Sequence, residues 1–196
     1  MDRPTISSED ILIRVQSTPN PYALKFVCNM AFKVQGKATF NSPYECQSIP
    51  LAKDLFFIPG VKQVHLFQNT LTVTHDGSLT NELLGEQVEV VIRTRMPIHD
   101  AVFATEDELQ QKTKVDRSTL SPEMLQIEEI LDRTIRPGLQ ADGGDMDLIS
   151  FENNIVKILY QGACGGCPSA MMGTLDAIQG ILQQELDNPD IKVRPI

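Results

Sequence analysis

"IVKILYQGACGGCPSAMMGTLDAIQGILQQEL" (residues 155–186) passes from a strand to a helix across two cysteines. Residues 155–160 read as a strand. From Pro168 onward, Met171, Leu175, Ile178 and Leu182 recur at spacings of 4, 3 and 4, which gives a helix one apolar face; core packing is the expected use of that stripe. Between the two elements lie Cys164, where the strand ends, and Cys167, at or next to the helix N-cap. Pro168 suits the first helical position, where its missing N–H would have had no partner. Gly165 and Gly166 can take positive φ, so the chain can wrap around one centre and aim N–H groups at sulfur. The free N–H groups and positive dipole end of the helix are expected to acidify Cys167.

The same reasoning extends outward on both sides. Ser121-Pro122-Glu123 is a helix start, with an N-cap, a proline at the first position and an acid at the positive end. Ile127, Ile130, Leu131 and Ile135 form its apolar stripe, and Pro137-Gly138 should end or kink it. "ADGGD" (141–145) is a turn before a strand near 146–151, and "IKVRP" (191–195) is a last strand. The order is helix-strand-strand-helix-strand.

Upstream, "TEDELQQKTKVDRST" (105–119) has only Leu109 and Val115 as sizeable apolar residues, too little burial to offset ordering. A polar linker is placed at 97–119, dividing a domain over 1–96 from one over 120–196. In the first domain, residues 24–33 and 37–40 read as paired strands. "IPLAKDLFFIPG" (49–60) reads as a helix through Leu51, Leu55 and Ile58 that Pro59-Gly60 stops. "VKQVHLF" (61–67) and "LTVTH" (71–75) read as a β-hairpin. Residues 80–94 suit either period, and helix is favoured. The fold class is α+β: two small mixed domains joined by a polar linker.

The chain of 196 residues carries 17 Lys+Arg and 26 Asp+Glu, a net charge of −9. That charge argues against a nucleic-acid binder. It is concentrated in residues 121–196, with 5 basic and 12 acidic residues, so a partner steered by charge would be basic. No apolar run approaches the ~20 residues that span a bilayer. "MDRPTISSED" has the layout of neither a signal peptide nor a transit peptide, so a cytoplasmic location is expected. In a reducing compartment a cysteine pair is expected to bind metal or act catalytically, not to form a structural disulfide.

Three chemistries suit the Cys164-x-x-Cys167 loop. Structural zinc needs four ligands, yet His65, His75, His99, Cys28 and Cys46 all lie in the first domain. A thioredoxin-like dithiol oxidoreductase is the alternative, although Gly162-Ala163 stands where an aromatic usually precedes the first cysteine. An iron–sulfur cluster takes four thiolates, which two copies of this chain would supply across a symmetric interface; stoichiometry makes this the most economical reading. Two ordinary buried cysteines would leave the Gly-Gly spacer unexplained.

"IRPGLQADGGDMDLISF" (135–151) followed by residues 155–186 resembles the C-terminal domain of the NifU family. The shared elements are Ile135-Arg136-Pro137, Asp142-Gly143-Gly144-Asp145, Gly162, Cys164, Cys167-Pro168-Ser169 and Thr174-Leu175. The first domain resembles the Nfu N-terminal domain through "TPNPYALKF" (18–26), "SIPLAKDLFFIPGVKQVHLF" (48–67) and "LTVT" (71–74). The resemblance implies a homodimer that is not an enzyme. It would carry a [4Fe–4S] cluster bridged between subunits on Cys164 and Cys167, accept it from an upstream donor and pass it to apo client proteins. Ala170 replaces a serine common in the family, and the Gly-Gly spacer is less polar than usual. Nothing resembles the aspartate- and cysteine-bearing scaffold domain of full-length NifU, so carriage is expected over cluster building.

The remaining candidates take plainer readings. Cys28 falls in a strand pattern and Cys46 in a loop, without ligand spacing, so structural roles are expected. Asp142 and Asp145 serve the turn. Arg136 has two possible partners, that acidic turn or the charge of a bound cluster.

Overall fold

The computed structural model describes residues 7–105, 121–164 and 168–196, with side chains from 168 to 172 left out. The chain divides into two compact units, Met1–Phe103 and Ala104–Ile196.

The first unit is a five-stranded antiparallel sheet with two helices. Its elements in chain order are β1 (Ile13–Ser17), β2 (Ala23–Cys28), β3 (Lys33–Phe40), α1 (Pro50–Leu55), β4 (Val61–Gln68), β5 (Thr70–His75) and α2 (Asn81–Arg95). The sheet order is β1-β2-β5-β4-β3. Alternate residues of the strands point to one core: Leu24, Phe26 and Cys28, then Ala38 and Phe40, Val64 and Leu66, Leu71 and Val73. Leu51, Ala52 and Leu55 of α1 and Leu84, Val88 and Ile92 of α2 close over that face. The Thr80 hydroxyl caps α2 by accepting from Leu83 N at 3.3 Å, so the helical reading of 80–94 holds. The β4–β5 hairpin also forms as expected, with Phe67 opposite Thr70.

Two expectations for this unit are corrected. Residues 24–33 and 37–40 do not pair with each other, because the β4–β5 hairpin lies between them: β2 pairs with β1 and β5, and β3 pairs with β4. The helix over 49–60 stops at Leu55, and Ile58 reaches the core from the turn that follows. The sequence places residues 97–119 in the linker; of these, 97–103 lie against the first unit. Val34 N donates to Ala101 O (2.8 Å), Lys33 Nζ to Phe103 O (2.9 Å), and His99 Nε2 meets Phe32 O at 2.7 Å.

The second unit runs α3 (Pro122–Thr134), α4 (Arg136–Ala141), β6 (Gly144–Glu152), β7 (Ile155–Gly162), α5 (Pro168–Glu185) and β8 (Lys192–Pro195). Its sheet order is β6-β7-β8, with β6 and β7 antiparallel and β7 and β8 parallel across the α5 crossover. Ser121 caps α3 by accepting from Met124 N at 3.2 Å. Pro137 sits in the first turn of α4, so the predicted break falls at Ile135 and the chain resumes as a second, short helix. Asn153 and Asn154, at φ 52° and 60°, form the two-residue turn between β6 and β7. Ile127, Ile130 and Leu131 of α3 and Ile178 and Leu182 of α5 pack on Met146, Leu148, Val156, Ile158 and Val193 of the sheet.

Candidate functional site

β7 ends at Gly162, and Ala163 N donates to Gly143 O at 3.1 Å, tying the exit of β7 to the turn before β6. Gly143 takes φ 83°, which a side chain would strain. Gly144 stands opposite Gly162 in the β6–β7 ladder, and Cys164 lies directly over it. A Cβ built at Gly144 would fall 2.3 Å from Cys164 Sγ and 2.9 Å from its backbone nitrogen. The two glycines of the Asp142–Asp145 turn therefore have separate work: one bends the chain, the other leaves room for the cysteine.

Cys164 is half-buried at the edge of the second unit's core. Burial, reinforced by the charges of Asp142 and Asp145, pushes its thiol up to about 12. Cys164 is therefore a protonated thiol at neutral pH in the metal-free chain. Cys167, with Gly165 and Gly166, lies outside the described residues, as does its expected acidification.

The turn is anchored by Arg136, at the first position of α4. Its Nε donates to Asp132 Oδ1 (2.7 Å), its Nη2 to Glu128 Oε2 (2.9 Å) and its Nη1 to Asp145 Oδ1 (3.0 Å). Nη1 also donates to the Met146 carbonyl. Asp145 is buried, and Met146 N donates to its Oδ1 at 2.7 Å. One guanidinium thus joins α3, α4 and the start of β6 immediately beside Gly144, and of the two partners the sequence allowed, the acidic turn is one the structure supplies. Sequence reading missed the function of Gly144 and the Glu128 and Asp132 contacts. The i to i+4 spacing of Asp132 and Arg136 was the available signal.

The chain matches two family models: "NifU-like domain" over residues 127–194 and "Scaffold protein Nfu/NifU N terminal" over residues 13–99. "NifU-like protein 4, mitochondrial" of Arabidopsis thaliana is 30% identical, the match covering 92% of this chain and 68% of the relative. The chain belongs to the Nfu/NifU-like family.

Two further relatives of this Nfu/NifU-like chain extend beyond it. "NFU1 iron-sulfur cluster scaffold homolog, mitochondrial" of Drosophila persimilis is 34% identical over 91% of the chain, and "NifU-like protein 5, mitochondrial" of Arabidopsis thaliana 33% identical over 88%. The chain spans 63% of the length of each. Among solved structures, the NMR structure of a NifU-like protein from Saccharomyces cerevisiae is 21% identical, with a TM-score of 0.44; the match covers 49% of this chain and 87% of that one.

The cytoplasmic expectation is corrected by these comparisons. All three relatives are named as mitochondrial proteins, against the cytoplasmic expectation. That expectation rested on the layout of residues 1–10, and the reading of the thiols as reduced was drawn from it.

The other two cysteines of the Nfu/NifU-like chain sit in the first unit's core. Cys28 is 2% and Cys46 0% exposed. Cys28 Sγ donates to Asn29 Oδ1 at 3.5 Å, and Cys46 Sγ approaches the carbonyls of Ser42 (3.6 Å) and Pro43 (3.7 Å). Burial, with the charge of Glu45, pushes the Cys46 thiol up to about 11, opposite to what a nucleophile needs.

Proposed function

We propose that this chain is an iron–sulfur cluster carrier. Two copies hold one [4Fe–4S] cluster as cargo on Cys164 and Cys167 of each, accept it from an upstream donor and release it to apo client proteins. Residues 120–196 form the cluster-binding domain, residues 1–96 select clients, and residues 97–119 connect the two. Family membership sets the class of function. The observation that carries the reading is the seat of Cys164: a half-buried thiol over a glycine that has no room for a side chain, held by a turn that a half-buried arginine anchors.

A dithiol oxidoreductase fits this seat less well. Its attacking cysteine must be a thiolate in electropositive surroundings, whereas burial, and then the charges of Asp142 and Asp145, push the Cys164 thiol upward. A cluster carrier has no such need, because soft iron centres replace the thiol proton when the ligand binds.

The test is anaerobic reconstitution of the full chain with iron and sulfide, followed by counting iron in four variants. Cys164→Ser and Cys167→Ser should each lose stable binding, since hydroxyl oxygen replaces thiolate poorly at iron–sulfur centres. Cys28→Ser and Cys46→Ser should keep the parent's iron content. Full loading of Cys164→Ser, or loss of iron in a folded Cys28→Ser, would reject the assignment.

A further inference from the structure

Residues 121–196 hold 5 basic residues, and two of them are committed to ion pairs: Arg133 with Glu185, and Arg136 with Glu128, Asp132 and Asp145. The other three, Lys157, Lys192 and Arg194, share one face of the sheet. Val156, Ile158 and Val193 point into the core, so the residues alternating with them point the other way. Lys157 on β7 stands in register with Arg194 on β8, their backbones about 4.8 Å apart, and Lys192 lies two residues before Arg194 on the same side. All three are exposed, and none forms an ion pair among the described residues. The half-buried Ile155 and Leu159 flank Lys157 along β7. Of the acids on β6, Glu152 and Asp147 stand in register with Ile155 and Leu159, not with a cation. Three like charges on adjoining sheet positions repel one another and bring the fold no contact in return.

We propose that this face of β7 and β8 docks an acidic segment of a partner protein, its carboxylates on Lys157, Lys192 and Arg194 and its apolar side chains on Ile155 and Leu159. The inference goes beyond the cluster-carrier reading and does not depend on it. The chain's net charge of −9 disfavours polyanions at long range. At physiological ionic strength, however, charges beyond about 8 Å are screened, so the local field on this face is that of the three cations. A short acidic segment suits such a field. A nucleic acid would set its phosphates against the rest of an acidic unit and find no aromatic side chain on this face for its bases. An anionic membrane is matched by clusters of about 4–8 cations, more than this face carries. The contact is with the face and not with the edge of β8. Val193 N donates to Gln179 Oε1 at 3.2 Å and Pro195 has no N–H, so an added strand would find neither position free to donate.

The test uses the full chain without metal, labelled with 15N, and a short peptide that alternates glutamate with leucine. Titration should shift the amides of residues 155–159 and 192–194, and the same peptide with lysine in place of glutamate should leave them in place. Lys157→Gln combined with Arg194→Gln should weaken the glutamate peptide about tenfold, the worth of two exposed charge contacts. High salt should weaken the parent's binding in the same direction. The double variant should unfold at the parent's urea concentration or above, because neutralisation relieves repulsion. Equal affinity of parent and double variant would overturn the proposal, as would shifts confined to other faces. A lower urea midpoint would also overturn it, by showing that the cations hold the fold. So would stronger shifts of these amides by oligodeoxythymidylate or by phosphatidylserine vesicles than by the peptide, which would assign the face to a nucleic acid or a membrane.

Discussion

A methyl group added at Gly144 would lie 2.3 Å from Cys164 Sγ, and it would also press on that residue's backbone nitrogen and Cβ. The backbone nitrogen cannot swing aside as the end of a flexible side chain can. Gly144→Ala should therefore shift Cys164 from its seat, lowering iron content after reconstitution severalfold, while far-UV circular dichroism stays close to the parent's. Parent-level iron in this variant would show that the close approach is irrelevant to binding. At this scale the sequence was only partly legible. The C-x-x-C spacing singled out Cys164 and Cys167 as candidates, because two thiols with a Gly-Gly spacer have few other uses. Gly144 read as a turn residue, since nothing local to "ADGGD" reports that a cysteine twenty residues later comes to lie over it.

Elements governed by local signals were read well, whereas those fixed by distant pairing were not. Ser121 and Pro122 announce the start of α3, and the stripe of Ile127, Ile130 and Leu131 packs as its periodicity requires. Conversely, β1 (Ile13–Ser17) went unread because its residues are half-buried or exposed and show no clean alternation. The partners of β2 and β3 are set by the hairpin inserted between them, a contact that neither strand's own residues encode. In the second unit, the junction of α3, α4 and β6 depends on Arg136, whose side chain is 18% exposed and bridges Glu128, Asp132 and the almost fully buried Asp145. Removing the guanidinium leaves Asp145 charged without its ionic partner. Arg136→Ala should destabilise the second unit by about 3–5 kcal/mol, the range for breaking buried ion pairs. Urea unfolding of residues 121–196 measures this, and a loss below about 1 kcal/mol, the worth of an exposed pair, would show that the network is ornamental.

Across the whole molecule, the two units each possess a separate apolar core. Residues 121–196 contain both proposed ligands and should bind the cluster without the rest of the chain. If residues 1–96 select clients, removing them should preserve iron content but slow transfer at low client concentration. The deficit should shrink in excess client, because tethering acts by raising effective concentration. Equal transfer rates at every client concentration would reject the docking role. The central claim is that two chains share one cluster, and it is tested most directly by native mass spectrometry of the anaerobically reconstituted full chain, with iron and sulfide counted on the same sample. Four thiolates from two C-x-x-C loops predict about 2 iron and 2 sulfide per chain, carried by a dimer that returns to monomer when a chelator strips the iron. A monomer that retains four iron and four sulfide, or a dimer indifferent to iron removal, would contradict the account.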